Sequence, residues 1–429
     1  MRMFGSTRAA TLVLVATVLA SLAACTGTQP PSTPYVAPQG VTDTEIKLGT
    51  HAPLTGPAAA GYSEVAAAEK AYFDYVNAKG GVYGRKITFL MEDDGYNPAT
   101  TQTVVRKLVE DDKVFAIAGG LGTATHKSVL DYLKDKQIPD LFVASGATAW
   151  NQPSRYPGTF GFQTDYTTEG KILGSYLKST PALAAQKTCS FGQDDDLGKD
   201  FLTGLQAGLG ASVALSQTYI TSNTNVAPQV QALQQAGCQV VALATTPVFT
   251  GRVLGTAALL SYRPQFVVTT AGSDYATVAN YLGVGKGLLE GVISDGYLPI
   301  STNPDDPWIK LFGDINKQYG NGAPVDNNVL VGMSIAYATV QALQRVGHDI
   351  TVDKLIAAIE QGGFRGPGLV PFGFSATSHA GYSGGRLSKV TNGVQDYFGP
   401  AYVTDAGSSP VTEYTEAPAV PPEDGIPTP

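Results

Sequence analysis

Residues 87–120 read ITFLMEDDGYNPATTQTVVRKLVEDDKVFAIAGG. Apolar and β-branched side chains dominate residues 87–92 and 114–118, which predicts two short buried strands. Between them, residues 99–110 repeat their apolar positions at helical spacing, which predicts a helix. A strand, a helix and a second strand in this order form the unit from which parallel sheets with helices on both faces are built. The stretch therefore predicts an α/β fold.

The same alternation continues on both sides of this stretch. Residues 46–77 predict a strand and then a helix, and residues 125–144 predict a helix and then a strand. After a segment rich in Gly, Pro and aromatic residues at 145–165, a second series of helices and strands runs from residue 170 to residue 269. Three further helices and a Gly- and Ser-rich segment follow. Two series and a return segment predict two doubly wound parallel-sheet lobes joined by several crossovers, with one cleft at the carboxyl ends of the strands.

The two ends of the chain carry signals of a different kind. Arg2 and Arg8 precede an apolar run that ends at Cys25, so residues 1–25 are predicted to be an export signal with a lipid-attachment cysteine. The alternative is an ordinary signal cleavage site, with Cys25 incidental. Residues 26–40 are Pro-rich and predict an extended linker, and the Pro-rich acidic residues 407–429 predict a disordered tail. A lipid on Cys25 would hold the protein on the outer face of the cytoplasmic membrane.

Composition narrows the classes of partner and cofactor. The net charge is -8 and no basic block occurs, so a nucleic-acid-binding function is not expected. Cys189 and Cys238 are predicted to lie at the start of strands, where they form either a disulfide, as export permits, or two buried free thiols. The four histidines show no zinc spacing, and no phosphate-loop or dinucleotide motif is complete. We therefore expect no metal ion and no cofactor.

Two motifs could indicate catalysis, and neither has the required context. Residues 381–385, GYSGG, match the GxSxG pattern of hydrolases, which needs a strand before the serine, a helix after it and a later histidine. No histidine follows Ser383, so a loop is the favoured interpretation. Asp194, Asp195 and Asp196 could bind a metal ion, but a turn in which a carboxylate caps a helix is favoured. The chain is predicted not to be an enzyme.

Several short motifs are shared with a known family. They are IKLG at 46–49, PLTGP at 53–57, NAKGGVYGRKI at 77–87, EDD at 92–94, GAT at 146–148 and DDLGKD at 195–200. Through these motifs, residues 41–405 resemble the leucine/isoleucine/valine-binding-protein type of ABC-importer solute receptors. The resemblance implies a type I periplasmic-binding-protein-like fold with a three-crossover hinge. Lobe 1 would comprise residues 41–163 and 291–366, and lobe 2 would comprise residues 164–290 and 367–406.

The resemblance also implies where a ligand binds. In this family, hydroxyls and amides at the start of a helix in lobe 1 usually hold the ligand's carboxylate, and residues 122–125 and 145–148 match that pattern. The acid that faces the ammonium group of amino-acid ligands matches Ala271, which is not an acid, and Asp274 could simply begin a helix. Aromatic side chains near the cleft suit stacking on a ligand ring, although they could equally pack the lobes. The candidate contacts are Tyr62, Gly122, Thr123, Ala124, Thr125, Ser145, Gly146, Ala147, Thr148, Trp150, Asp165, Tyr166, Thr246, Ala271 and Asp274.

The expected function combines the signal and the resemblance. The chain is predicted to be an extracytoplasmic solute-binding lipoprotein of an ABC importer, monomeric and without nucleic-acid partners. It would capture a small carboxylate-bearing molecule, either a branched-chain amino acid or an aromatic or other organic acid. Its partners would be the permease and ATPase subunits of the importer, and the membrane through the lipid on Cys25. The alternative is a receptor that uses the same fold to sense a ligand.

Overall fold

The computed structural model describes residues 35–320, 322 and 324–429. The predicted export signal, Cys25 and residues 26–34 of the predicted linker lie outside the described residues. Residues 37–429 form one body that contains two large sheets, one parallel and one mixed. Within the described part of the chain, no helix combines the length and the apolar character that crossing a membrane requires.

Lobe 1 is built on a five-stranded parallel sheet with the strand order β2-β1-β3-β4-β5. The predicted strand–helix–strand unit at residues 87–120 lies within it. Asn97 starts the connecting helix by accepting hydrogen bonds from the first free backbone amides, and Pro98 occupies the first helical position. The strands are β1 (Glu45–Ala52), β2 (Lys86–Asp93), β3 (Ala116–Ala118), β4 (Asp140–Val143) and β5 (Thr159–Gly161). The helices are α1 (Ala59–Ala78), α2 (Pro98–Glu110), α3 (Thr123–Lys127) and α4 (Leu130–Asp135).

Lobe 2 is built on an eight-stranded sheet with the order β15-β14-β13-β10-β9-β8-β6-β7. The part from β10 to β7 is parallel, and β13, β14 and β15 extend it by antiparallel pairing. Asp195 caps α7, which confirms the predicted turn at residues 194–196. The strands are β6 (Thr188–Gln193), β7 (Ser216–Tyr219), β8 (Val240–Ala244), β9 (Gln265–Val268), β10 (Ile293–Gly296), β11 (Phe372–Ser375), β12 (Ser378–Tyr382), β13 (Gly384–Thr391), β14 (Val394–Val403) and β15 (Thr412–Tyr414), of which β11 and β12 form a separate hairpin. The helices are α5 (Tyr166–Ser179), α6 (Pro181–Ala184), α7 (Asp196–Leu209), α8 (Ala227–Gln235), α9 (Pro247–Leu259) and α10 (Tyr275–Leu282).

The return segment adds three helices to lobe 1. They are α11 (Pro307–Tyr319), α12 (Asn327–Val346) and α13 (Val352–Glu360). Their apolar faces join the core of the first sheet, where Trp308 packs edge-on against Tyr337 with ring centroids 5.1 Å apart. The close approach of α12 to α1 depends on Gly332, since a Cβ atom there would lie 2.1 Å from the carbonyl oxygen of Val65.

Two segments lie in a different lobe from the one predicted. β10 falls in residues 291–366, which were assigned to lobe 1, yet it pairs with β9 in the lobe 2 sheet because Ile293 is buried beside Val267. The hairpin of β11 and β12 falls in residues 367–406, which were assigned to lobe 2. Its aromatic side chains pack instead into the lobe 1 core, where the rings of Phe374 and Phe142 are 5.7 Å apart. The crossovers therefore lie a few residues after β10 and close to Ser383.

The carboxyl-terminal segment also differs from the expectation of a disordered tail at 407–429. Residues 412–414 form β15 at the edge of the lobe 2 sheet. Further along, the Trp308 indole donates to the carbonyl oxygen of Ala419 at 2.6 Å, and the Tyr72 hydroxyl donates to that of Gly425 at 2.7 Å. The Pro-rich composition indicated little apolar surface to bury, but extended backbone still supplies carbonyl acceptors for buried aromatic donors.

Cys189 and Cys238 are joined by a disulfide, which decides between the two alternatives left open by the sequence. Cys189 lies in β6, and Cys238 lies just before β8, the strand that pairs with β6 in the sheet. A bridge across a separation of 49 residues stabilises the folded chain, by about 4 kcal/mol from the entropy that it removes from the unfolded state.

Candidate functional site

A cavity lies between the two lobes, beside the carboxyl ends of their parallel strands. Its empty volume is about 890 Å³, including space open to solvent. Lobe 1 contributes Tyr62, Tyr96, Leu121, Gly122 and Thr123 to its wall, and lobe 2 contributes Tyr166, Thr270, Ala271, Asp274, Asp295 and Tyr397. The crossovers contribute Gln163 and residues 297–300. This is the position that the order of strands predicts for a ligand cleft.

The two lobes contact each other around the cavity. The Tyr62 hydroxyl of lobe 1 donates to the carbonyl oxygen of Ala271 in lobe 2 at 2.8 Å. On the other side, the amide and hydroxyl of Thr148 donate to Asp200 on α7 at 2.8 and 3.0 Å. Lys127 and Asp196 form an exposed ion pair across the same gap. The structure therefore shows the lobes closed on the cavity.

One glycine allows this closure next to Tyr62. Gly61 has a φ angle of +82° and breaks the helical path near the start of α1. A Cβ atom at this position would lie 2.5 Å from the Thr277 hydroxyl and 2.7 Å from the Asn328 amide nitrogen. Only glycine combines this backbone conformation with the close approach of α10, and the kink aims Tyr62 at lobe 2.

The wall is largely aromatic and aliphatic. Tyr62 and Tyr96 pack with ring centroids 6.2 Å apart on the lobe 1 side. Tyr166, Tyr297 and Tyr397 line the opposite side, and Leu121, Leu197, Leu298, Ile300, Leu330 and Val331 fill the spaces between these rings. Tyr62 and Tyr166 were expected here from the sequence. Such a wall suits a ligand with an apolar or aromatic body.

The predicted contacts of lobe 1 divide between the wall and its support. Gly122 and Thr123 line the cavity, whereas Ala124 and Thr125 do not. The Thr125 hydroxyl donates to the carbonyl oxygen of Leu121 at 2.9 Å. Ser145 lies behind the wall and shares a hydrogen bond of 2.8 Å with the Thr123 hydroxyl. Ser145 thus fixes the orientation of Thr123.

The other predicted residues of that loop also lie behind the wall. Gly146 packs against Tyr166, where a Cβ atom would lie 2.8 Å from the ring, and Ala147 is buried. The Trp150 indole donates to the carbonyl oxygen of Ser145 at 2.7 Å, and its ring packs edge-on against His126. Trp150 is therefore placed as a packing residue, and Thr148 serves the contact between the lobes.

The predicted contacts of lobe 2 divide in the same way. Tyr166, Ala271 and Asp274 line the cavity. Asp165 and Thr246 do not line it. Asp165 caps α5 by accepting from the amide of Thr168 at 2.9 Å, and the Thr246 amide donates to the Tyr219 hydroxyl at 3.1 Å.

Asp274 itself has two protein partners. Its carboxylate accepts from the Thr277 amide at 2.7 Å at the start of α10 and from the Asn327 amide at 3.3 Å. Burial, followed by the charge of Asp326, raises the pKa of Asp274 to about 6.

Two buried acids at the lobe 2 wall were not predicted from the sequence. Asp295 is the last residue but one of β10 and lines the cavity, and among the described residues no other residue donates a hydrogen bond to its carboxylate. Burial raises the pKa of Asp295 to about 7. Behind it, Glu169 on α5 accepts a hydrogen bond from the Thr270 hydroxyl, and burial followed by the charge of Asp295 raises the pKa of Glu169 well above its usual value. Recognising a strand at 293–296 would have placed Asp295 at its carboxyl end.

Lobe 1 contains a different set of buried ionisable groups, which runs from Asp94 through His51 and His126 to Asp140. The distances are 2.8 Å from Asp94 to His51, 2.9 Å between the two histidines and 2.8 Å from His126 to Asp140. Burial lowers the pKa of His51 against the raising effect of its bond to Asp94. None of the four residues lines the cavity. The sequence spacing gave no indication of this chain, which forms because β1, β4, α3 and the residue that follows β2 meet.

Ser383 does not lie in the strand–turn–helix context that the GxSxG motif of hydrolases requires. Ser383 lies between β12 and β13, so a strand and not a helix follows it, and its hydroxyl donates to the carbonyl oxygen of Pro371 at 3.3 Å. Among the described residues, no group of three or more His, Cys, Asp or Glu side chains is arranged to hold a metal ion.

The chain is similar in sequence to known binding proteins. A family profile described as periplasmic binding protein matches residues 45–395. "Leu/Ile/Val-binding protein homolog 7" of Brucella melitensis is 24% identical over 330 residues, which cover 74% of this chain and 82% of that protein. The Leu/Ile/Val-binding protein of Escherichia coli K12 is 33% identical over 106 residues, which cover 24% of this chain and 28% of that protein.

Solved structures share the fold. A branched-chain amino acid ABC transporter protein from Thermus thermophilus with bound valine superposes with a TM-score of 0.75 at 19% identity, covering 85% of this chain and 98% of that one. A fatty acid ABC transporter substrate-binding protein from Thermomonospora curvata gives a TM-score of 0.76 at 21% identity, covering 87% of this chain and 96% of that one. The same fold therefore occurs in proteins whose names refer to ligands of different chemistry.

Proposed function

The chain belongs to the periplasmic binding protein family, of the leucine/isoleucine/valine-binding type, and we propose that it is the solute-binding lipoprotein of an ABC importer. The observation that carries the proposal is the cavity between two lobes that contact each other around it. A ligand that contacts both walls stabilises the closed arrangement over an open one, and the closed arrangement is then the signal that a permease reads.

The wall supports a ligand with an apolar, branched or aromatic body. Tyrosine rings and aliphatic side chains make up most of the surface that such a body would contact. For a carboxylate, the available donors are neutral: the amides at the start of α3 and the hydroxyl of Thr123, which lies in the wall. A branched-chain amino acid and an aromatic or other organic acid both fit this description.

Membrane attachment completes the proposed mode of action. A lipid on Cys25 would keep the receptor near the permease and ATPase subunits, which raises its effective concentration at the membrane without any additional contact. The Pro-rich residues that follow would act as a spacer and let a monomeric receptor turn to dock.

The test is a thermal-shift screen of the purified protein with branched-chain amino acids, aromatic acids and small organic acids. A ligand at 100 times its dissociation constant should add about 2.7 kcal/mol to the free energy of unfolding. The best compound is then titrated by calorimetry against Tyr96→Ala, in the wall, and Tyr132→Ala, on the outer surface of lobe 1. Tyr96→Ala should weaken binding at least tenfold and Tyr132→Ala should leave it unchanged. Equal affinities for both variants would remove the cavity as the binding site.

A further inference from the structure

Hydroxyl groups around the lobe 2 side of the cavity use their protons within the protein. The Tyr62 hydroxyl donates to the carbonyl oxygen of Ala271 at 2.8 Å, and the Tyr397 hydroxyl donates to that of Leu298 at 2.7 Å. The Thr270 hydroxyl donates to Glu169. A carbonyl oxygen only accepts, so the direction of the two tyrosine bonds is fixed. These hydroxyls therefore offer lone pairs, not protons, to anything inside the cavity.

Asp295 adds a carboxylate to these hydroxyl acceptors. It is 3% exposed, and neither of its carboxylate oxygens accepts a hydrogen bond from another described residue. The amide oxygen of Gln163, in the same wall, is also buried without a described partner. Buried acceptors without donors are costly, and a donor from ordered water or from a bound molecule removes that cost.

Among the described residues, no side chain that lines the wall could neutralise Asp295, since none of them is Lys, Arg or His. Arg386 is close along β13, but its guanidinium donates to the carbonyl oxygen of Gly399 and lies over the outer face of the Tyr397 ring. The other titratable groups near Asp295 are Glu169 on α5, Tyr297 after β10 and Tyr397 on β14, and none of them carries a positive charge.

We propose that Asp295, supported by Glu169 behind it, binds a cationic nitrogen of the ligand. The inference rests on the proposed function and specifies its ligand as an ammonium or substituted amine attached to an apolar or aromatic body. The charge partner then comes from the end of β10 and not from Ala271, the position at which the family resemblance expects an acid. Glu169 positions this site by orienting the Thr270 hydroxyl, whose lone pairs can accept a second N–H group.

Cation binding at this site is linked to a proton. A carboxyl group buried without a partner holds its proton more tightly, and a bound cation favours the ionised form. Binding should therefore release a proton and strengthen as the pH rises from 5.5 to 8. A ligand that carries only a carboxylate would show the opposite dependence, because it would approach a carboxylate that becomes more negative.

The experiment uses two series of compounds with a constant body. Leucine is compared with 4-methylpentanoate and 3-methylbutylamine, and phenylalanine with 3-phenylpropanoate and 2-phenylethylamine. Each is titrated by calorimetry at pH 5.5 and 8, in buffers of different ionisation enthalpy, so that proton release is counted. In at least one series, the compounds with an amine should bind more tightly than the desamino acid and should release a proton.

Two variants measure how much the charge of Asp295 contributes to binding. Asp295→Asn keeps the shape and removes the charge, and it should weaken binding of the amine roughly tenfold to hundredfold, as expected for loss of a hydrogen bond to a charged group. Glu69→Gln is the matched control, since Glu69 is a buried acid without a described partner that does not line the cavity. It should leave the affinity for the amine unchanged.

The outcomes separate the two proposals. Tighter binding of the desamino acids, with Tyr96→Ala still weakening it, would overturn the role of Asp295 and leave the solute-binding function intact. Equal affinity of wild type and Asp295→Asn for the amine would also overturn it. Absence of binding by all six compounds would count against both proposals. The comparison of amine with desamino acid and its pH dependence needs no variant, so a folding defect of Asp295→Asn cannot obscure the result.

Discussion

Two sets of buried ionisable side chains lie on opposite sides of the cavity, and they differ in their hydrogen bonding. In lobe 1, Asp94, His51, His126 and Asp140 form a continuous chain in which each side chain bonds to the next. In lobe 2, Asp295 has no donor from another described residue. Every side chain of the lobe 1 chain has a hydrogen-bond partner within the protein, although Oδ1 of Asp140 has none, whereas neither carboxylate oxygen of Asp295 has a partner among the described residues. The comparison separates charged groups that hold the fold from those that are available for binding.

A buried acid without a hydrogen-bond partner is assigned to the ligand only if it also lines the cavity. Glu69 on α1 is also buried, and neither of its oxygens has a described partner. Burial raises the pKa of Glu69 well above its usual value, but the residue does not line the cavity and packs against Gly119 instead. Glu69 is therefore expected to remain protonated in the core, and it carries no binding role. Only an acid that is both unpartnered and in the wall is assigned to the ligand.

The largest expected effect comes from breaking the lobe 1 chain. His126→Leu leaves His51 and Asp140 buried without their shared partner, and the loss of one member of a buried charged pair costs about 3–5 kcal/mol. Urea unfolding followed by circular dichroism at pH 7 measures this change. The control is His348→Ala, since the His348 side chain is 61% exposed, and it should cost less than about 1 kcal/mol. Equal losses in the two variants would show that the chain does not stabilise lobe 1.

The next effect is a pH dependence located at Asp295. The folded-state pKa of about 7 lies above the unfolded value near 3.8. Its contribution to stability is therefore complete below the unfolded pKa and is lost as the pH rises through the folded pKa. Between pH 5.5 and 8, wild type should lose about 2 kcal/mol more than Asp295→Asn does. Urea unfolding of both proteins without ligand at the two pH values measures the difference, and parallel pH curves would show that Asp295 is paired or solvated.

The order of elements was predictable, because buried strands and amphipathic helices have distinct periods in sequence. Tyr62, Thr123, Tyr166, Ala271 and Asp274 were placed near the cleft for the same reason, since they follow predicted strands or begin helices. What could not be predicted depends on contacts between segments far apart in sequence.

β10 illustrates this limit. Its sequence, ISDG, has little apolar character of its own, and its place in lobe 2 comes from pairing with β9 and β13. Asp295, Gln163 and Tyr297 were therefore missed together, because they lie where the chain crosses between lobes. The chain from Asp94 to Asp140 was missed for a similar reason, as its members meet only when β1, β2, β4 and α3 are assembled.

A smaller effect is expected from a residue that joins the two lobes and does not contact the ligand. Thr148 was expected to touch the ligand, but its amide and hydroxyl bond to Asp200 in the other lobe. Thr148→Val removes the hydroxyl bond, which is worth about 1 kcal/mol and corresponds to roughly fivefold weaker binding. The loss should be the same for every ligand, since it acts on the closed state. Calorimetry with an amine and with its desamino acid measures it, and a loss confined to one of them would return Thr148 to the ligand site.

The smallest effect concerns the ion pair of Lys127 and Asp196, which also joins the lobes. The two side chains are 51% and 22% exposed, so the pair is expected to contribute about 0.2–1 kcal/mol. Lys127→Met should weaken ligand binding less than about fivefold in low salt.

In 1 M salt that difference should disappear, because the Debye length is then only about 3 Å. Lys134→Met is the matched control, since Lys134 pairs with Asp131 and Asp135 within lobe 1 and does not reach lobe 2. A loss above tenfold that survives high salt would place the Lys127 pair in a desolvated interface. Closure would then depend on charge at the rim as well as on Asp295 at the wall, and the contrast between the two lobes would have to include this contact.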